Sequence, residues 1–336
     1  MNQSMNNLKN INSILPKWTP GVLISMAIAC IAQYLGDMFP IIGGILIAIL
    51  IGIVIKNSIG VFPAAEPGLN LTIKKLLKLS VILLGASLNI AQILVIGKQS
   101  FAVIIVSVLL GIVLTTWFGR QLKLDKRLCL MIGVGTSICG ATAISCIKGV
   151  LDAKDDETAY AITTIVLFNL IAFFVYPVVG HFFHFQSTAF GIWAGTAVHD
   201  TSSAVAVGYV YSDKAGQIAT TVKLARTLFL LPVIMILPFL MKTKGSTKDS
   251  LKKAFPWFVV WFVLFSILNS LGIIPHRLIV MFTSLAKFII IMVMAAVGLQ
   301  VNIKQFAKLG IKPLLTGMFA SVLVSIASLV IIKLMF

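Results

Sequence analysis

Two short stretches carry polar chemistry where an apolar chain has little other use for it. Residues 195–203 read GTAVHDTSS and residues 135–143 read GTSICGATA, each inside a run apolar enough to lie in a bilayer. Glycine weakens a helix, and Ser and Thr hydroxyls satisfy backbone groups that a break sets free. Backbone that leaves helical form at membrane depth must be buried in protein or line a wet cavity. Each break also creates a half-helix N-terminus, whose free N–H groups and dipole attract anions. The candidate substrate ligands are therefore Thr136, Ser137, Gly140, Ala141 and Thr142 in one stretch, and Gly195, Thr196, Thr201, Ser202 and Ser203 in the other.

Charge sharpens this reading. Asp200 is the one carboxylate expected near a membrane midplane, against three basic residues, Lys223, Arg226 and Lys287. Ionisable groups at that depth are costly and point to function. The excess of positive charge calls for a negative compensator or for a lysine to lose its proton, and an anionic substrate is the simplest compensator. Arg226 and Lys287 are expected to complement its charge, since a guanidinium fork suits oxyanions. Lys223 lies three residues before Arg226, on the same helix face, and either shares that role or snorkels to the surface. His199 is either a group able to accept a proton near neutral pH, joining Asp200 as the candidate coupling pair, or a hydrogen-bonded structural histidine. Asp200 could pair with a basic residue, hold a coupling proton or ligate sodium; the residues alone leave all three open. Na+ or H+ is thus the only small cofactor implied, and no resident metal is expected.

Enzymatic readings find little support. His199, Asp200 and Ser202 are close in sequence, but triad members are usually brought together from separate segments. No GxxxxGK[ST] phosphate loop is present, so ATP hydrolysis by this chain is not expected. The HFFH at 181–184 has i, i+3 spacing but no third metal ligand.

The elements that must position these residues follow from composition. Of 336 residues, 59% are hydrophobic and 11% charged, with a mean hydropathy of +1.05, where soluble domains carry about a quarter charged residues. The pattern is that of an all-α polytopic membrane protein, because apolar runs near helix-spanning length recur along the chain. A polar N-terminal segment (1–19) precedes a single transmembrane domain (20–336). About eleven spans are expected, at 20–38, 40–56, 76–96, 99–118, 127–149, 158–179, 188–211, 216–241, 255–271, 277–299 and 313–335. The 127–149 and 188–211 spans would be the two discontinuous helices. Four cysteines, all in or beside apolar segments, read as buried small hydrophobes. A net charge of +17 does not imply nucleic acid, because the basic residues are spread through the loops. With the N-terminus inside, 18 Lys and Arg residues fall on the inner side and 6 on the outer, a positive-inside bias. This phase requires both broken spans to cross fully.

GASLNIAQILVIG (85–97) and GLQVNIKQFAKLG (298–310) share Gly, Asn, Ile, Gln and Gly at a constant offset. An odd number of helix steps separates them, so the copies would enter from opposite sides. That is the inverted-repeat plan of secondary transporters, with binding at the midplane. The plainer alternative makes both ordinary helix ends, with Asn as a C-cap.

LLGASLNI, GTSICGATAI, GTAVHDTSSAVAVG and VKLARTLFLLP, taken together, resemble the sulfate exporter family of bacterial membrane proteins, the YeiH-like proteins. The resemblance runs over about 20–335. More distantly, the plan is similar to bile acid:sodium symporter-type transporters, whose two broken helices cross beside the substrate and ion sites. The resemblance implies a core carrying the breaks, a panel-like part moving against it, a crossing built from Thr136–Thr142 and Gly195–Ser203, and a bacterial inner-membrane location with a cytoplasmic N-terminus. The expected function is secondary active transport, by alternating access, of a small anion such as sulfate, sulfite or a sulfonate, coupled to protons or sodium. The alternative is an uncoupled anion channel or uniporter. The expected partners are that anion and the lipid bilayer, with a homodimer compatible and nucleic acid not.

Overall fold

A computed structural model describes residues 16–39, 43–241, 250–251, 254–307 and 309–335. The polar N-terminal segment falls largely outside them. The chain is all-helical, 86% helix, with no strand among the described residues. Its helices are α1 (Thr19–Met38), α2 (Gly43–Ser58), α3 (Glu66–Leu71), α4 (Leu77–Gly85), α5 (Ile90–Gln121), α6 (Lys126–Ser137), α7 (Ala141–Leu151), α8 (Asp155–Phe182), α9 (Ser187–Ala197), α10 (Thr201–Tyr211), α11 (Asp213–Leu228), α12 (Leu230–Met241), α13 (Trp257–Ser270), α14 (His276–Gln300), α15 (Ile303–Phe306) and α16 (Ile311–Met335). A π-helical turn, Thr72–Leu76, joins α3 to α4. Among the described residues, six stretches are long and apolar enough to cross a membrane, namely α1, α5, α8, α11 with α12, α14 and α16, and shorter apolar helices accompany them.

The chain packs as two units. The first comprises residues 1–81 and 283–302. Its helices meet through glycine. A Cβ at Gly52 would lie 2.6 Å from the Ala295 carbonyl and 2.9 Å from the Gly298 Cα, so α2 and α14 touch backbone to backbone, as small residues allow. The second unit comprises residues 82–282 and 303–336. Here α5 packs along α6 and α16, and α11 lies against both α9 and α10.

Three expectations are corrected. The span drawn at 76–96 ends at Gly85, and the loop placed at 97–98 lies inside the 32-residue helix α5. The break falls at residues 86–89, and α13 holds it there. Ser266 and Asn269 donate to the Leu88 carbonyl at 2.8 and 3.2 Å, and Ser270 accepts from the Ile90 N–H at 2.8 Å. Asn89 is an N-cap rather than a C-cap: its side chain accepts from the Ala91 N–H, and the Gln92 side chain accepts from the Asn89 N–H. The Asn-x-x-Gln of the first sequence copy is thus a capping box. In the second copy Asn302 likewise stands directly before a helix, α15.

The third correction concerns 127–149 and 188–211, which do not run through as discontinuous crossing helices. Each doubles back as a helical hairpin. Arg127, at the start of α6, donates from Nη1 to the Asp152 carbonyl just beyond α7 at 2.9 Å. Ser187, at the start of α9, accepts from the Ser212 hydroxyl just beyond α10 at 2.9 Å. Twenty-five residues of straight helix would separate either pair by roughly 37 Å. Glycines make the second reversal possible: a Cβ at Gly191 on α9 or at Gly208 on α10 would meet the same Ala215 carbonyl of α11, at 2.8 and 2.9 Å. The two arms therefore lie side by side against one turn of α11. A period count on an apolar run cannot tell a reversal from a crossing, because both bury the same residues.

Candidate functional site

Each hairpin has a three-residue tip, 138–140 in the first and 198–200 in the second, between half-helices of eleven or twelve residues. The hairpin mouths lie at opposite ends of α8. Asp152 leads directly into α8, and Thr158 near its start donates to Met131 Sδ of α6. At its far end, the Tyr211 hydroxyl of the second hairpin donates to the Gly180 and Phe185 carbonyls. Between these ends, Asn169 near the midpoint of α8 holds the second tip. Its Oδ1 accepts from the Asp200 N–H at 3.1 Å, and its Nδ2 donates to the Ser203 hydroxyl at 2.6 Å.

The two tips meet. Gly140 has φ 65° and ψ −136°, a region essentially restricted to glycine. A Cβ there would lie 3.3 Å from the Asp200 Cα, Cβ and Oδ1. Sequence reasoning expected residues 136–142 and 195–203 to come together, and in the second unit they do, tip to tip.

Four helix ends converge here, and their polarity sorts the charged groups. The α6 and α9 half-helices end at the tips and present carbonyls that have no intrahelical partner. Arg226 supplies partners for both: Nε donates to the Ser137 carbonyl, Nη2 to the Thr136 carbonyl at 2.5 Å, and Nη1 to the Thr196 carbonyl and, at 3.4 Å, to that of Val198. Lys223, one turn earlier on α11, donates from Nζ to the Val198 and His199 carbonyls at 2.7 and 2.6 Å. Both side chains are fully buried. Four of the five guanidinium N–H donors are spent on backbone, so Arg226 faces carbonyls rather than an open cavity. Lys223 does not snorkel.

The other two ends, where α7 and α10 begin, present N–H groups. Asp200 caps α10: its Oδ2 accepts from the Ser202 N–H at 2.9 Å and from the Ser202 hydroxyl. Among the described residues Asp200 makes no ion pair. The start of α7 has no side-chain cap; there Ala141 is half-buried and Thr142 exposed. This is the accessible part of the tips, together with Asp200 and Thr201, both half-buried.

The remaining predicted residues fall into place by geometry. Gly195 packs against α11, where a Cβ would lie 2.8–2.9 Å from Val222 and the Ala219 carbonyl. The Thr196 hydroxyl donates back to the Ile192 carbonyl at 2.7 Å. The Thr136 and Ser137 hydroxyls are buried and, among the described residues, have no hydrogen-bond partner. His199 is fully buried and its Nε2 lies 2.8 Å from Ser321 Oγ, whose own proton goes to the Gly317 carbonyl at 2.8 Å. Nε2 is therefore the donor in that bond. His199 turns to Ser321 while Asp200 turns to Ser202, so the three do not line up as a triad. Lys287, on α14, belongs to the first unit and is half-buried.

Asn169, Ser321 and Ser325, the last accepting from Trp193 Nε1 at 3.2 Å, lie outside the two polar stretches that mark the tips in the sequence. Asn169 leaves a trace there as a lone amide in the apolar run IVLFNLIAFF. The serines leave none, since hydroxyls are common in apolar helices. Cys129, Cys139 and Cys146 are buried and Cys30 is exposed.

Residues 20–317 match the family model described as conserved hypothetical protein 698. The chain is 35% identical to a UPF0324 membrane protein of Clostridium tetani, over 94% of this chain and 97% of that one. It is 36% identical to one of Streptococcus pneumoniae serotype 4, over 91% and 94%, and 35% identical to one of Fusobacterium nucleatum, over 91% and 96%. No solved structure matches the chain significantly. By the length and level of these similarities, the chain belongs to the UPF0324 membrane protein family.

Proposed function

We propose that this membrane protein is a secondary transporter of a small oxyanion, of the sulfate, sulfite or sulfonate kind, which binds where the two hairpin tips meet. The observation that carries the reading is the charge balance of the tips. Two buried cations, Lys223 and Arg226, stand against one carboxylate, Asp200, beside a half-helix start with no side-chain cap. An anion on the Ala141 and Thr142 N–H groups, with the Thr142 and Thr201 hydroxyls at hand, would balance that excess. Arg226 acts on the anion through the backbone it holds rather than by contact. Asp200 and His199 are the groups that would carry a coupling proton.

Topology supports the same reading. Half-helices of eleven or twelve residues extend about 16–18 Å, half of a hydrocarbon core of about 30 Å. The tips would therefore sit near the midplane, with the hairpins entering from opposite faces. Turning both segments into hairpins moves only residues between the two tips to the other side. Lys148 and Lys154 become inner, and the positive-inside count changes from 18 against 6 to 20 against 4. The reversal thus fits the charge rule better than two crossings do. An inverted repeat follows naturally. The half-helices and tips of the two hairpins correspond at an offset of about 60 residues, with Gly135-Thr136 matching Gly195-Thr196. The 85–97 and 298–310 copies still lie an odd number of crossings apart. The second unit would be the moving core and the first the panel-like part.

Reconstitution into proteoliposomes tests the proposal. Uptake of radiolabelled sulfate, sulfite or a sulfonate should exceed that of protein-free vesicles; sulfate uptake should also respond to an imposed pH gradient, and Asp200→Asn should lose that response. No anion moving faster than in empty vesicles would refute transport. Rapid flux indifferent to Asp200→Asn would favour an uncoupled path instead.

A further inference from the structure

Transporters with broken membrane helices commonly coordinate a coupling sodium ion with unwound carbonyls and the C-terminal ends of half-helices. This chain builds such carbonyl clusters at its hairpin tips, and each already holds a positive charge. The Val198 and His199 oxygens converge on Lys223 Nζ at 2.7 and 2.6 Å. The Thr136, Ser137 and Thr196 oxygens, with Val198 more distant, converge on the Arg226 guanidinium. The oxygens belong to the negative ends of two half-helices, the pole a cation would seek. Both side chains are fully buried, and both are part of the chain and cannot dissociate. The remaining anionic group, Asp200, is engaged through Oδ2 with the Ser202 N–H and hydroxyl.

We propose that Lys223 and Arg226 are built-in counter-cations that occupy the carbonyl sites a coupling sodium ion would need, and that the protein works without sodium. In the ion-coupled arrangement, a sodium ion arrives, orders the unwound carbonyls and leaves with the substrate. Here the ordering donors are part of the chain, so the tips are organised before any ligand binds. The inference rests on the transporter reading for its meaning, but its physical content, a filled cation site, does not need a transported anion.

The test uses the purified full-length protein without substrate. Thermal unfolding is compared in sodium chloride and in choline chloride at equal ionic strength. The wild-type melting temperature should be the same in both, and equilibrium binding of radioactive sodium should stay at background. Lys223→Ala uncovers the Val198 and His199 carbonyls. Its melting temperature should fall in choline chloride and recover in part in sodium chloride, while Lys223→Arg should remain indifferent to sodium. A wild-type melting temperature raised by sodium, or saturable sodium binding, overturns the proposal. So does a folded Lys223→Ala protein that ignores lithium, sodium and potassium alike, since those carbonyls would then not form a cation site. Should Lys223→Ala fail to fold, the two wild-type measurements decide alone. A failed anion-uptake assay would leave all of these readouts intact, so the two ideas fail separately.

Discussion

Arg226 offers the sharpest test of how the tips are held. Its guanidinium donates to carbonyls of both hairpins, Thr136 and Ser137 in one and Thr196 and Val198 in the other, from a fully buried position. Arg226→Ala leaves those carbonyls without their donor and the tips without their bridge. Net contributions of about 1.5–3 kcal/mol for each hydrogen bond to a charged group cannot simply be summed, because the bonds act as one unit. Removing one partner of a buried charged arrangement costs about 3–5 kcal/mol. At about 2–4 °C per kcal/mol for a sizeable chain, the melting temperature should fall on the order of 10 °C, measured in detergent without any ligand. Arg226→Lys keeps the charge but lacks the planar fork, and should recover only part of the loss. The contrast with a substrate ligand is direct. Truncating a side chain that waits for an anion weakens anion binding and leaves the ligand-free protein about as stable as before. If Arg226→Ala melts like the wild type without ligand, the bridge has no energetic role and the argument built on it falls.

Two further outcomes test the hairpins and their support. Ser187→Cys with Ser212→Cys should form a disulfide on mild oxidation, read as a cross-link between fragments after cleavage in the intervening hairpin, because the two side chains touch at 2.9 Å; a through-crossing helix would hold them roughly 37 Å apart and give none. Asn169→Leu should cost about 1–3 kcal/mol, the usual penalty for leaving buried groups unpaired, since the Asp200 N–H and the Ser203 hydroxyl both lose their partner; unchanged thermal stability would remove Asn169 from the tip's support.

Much of this architecture is legible in the residues themselves. The long apolar helices follow from hydropathy, and glycine and hydroxyl content, the groups a break requires, marks both tips within a residue or two. The pairing of the tips was also within reach, because Lys223 and Arg226 at i, i+3 had to face something negative. What was not legible is direction. A hairpin and a crossing helix use the same apolar arms, and only long-range contacts such as Arg127 with Asp152 tell them apart. The direct contacts of the cations are hidden for a related reason. Counting side-chain charges left an anion as the compensator, whereas backbone carbonyls at half-helix ends carry no letter in the sequence. Asn89 teaches the same lesson locally. It follows an apolar run and resembles a helix stop, yet Gln92 three residues on identifies it as a start.

Once backbone charge is included, the tips suggest which anions fit. Two carbonyl ends and two N–H ends contribute roughly −0.5 and +0.5 of an elementary charge each and nearly cancel. The formal charges that remain are Lys223 and Arg226 against Asp200, an excess of one. A monovalent anion, such as a sulfonate or hydrogensulfite, brings that sum to neutrality without further help. A divalent anion overshoots it by one, and two anionic groups beside each other in a low-dielectric site repel strongly. Sulfate would therefore have to arrive with a proton, while a sulfonate would not. On the proposed transporter reading, the identity of the anion and the coupling stoichiometry are therefore tied: the groups that the chain fixes in place at Lys223 and Arg226 would set how many protons each substrate must bring.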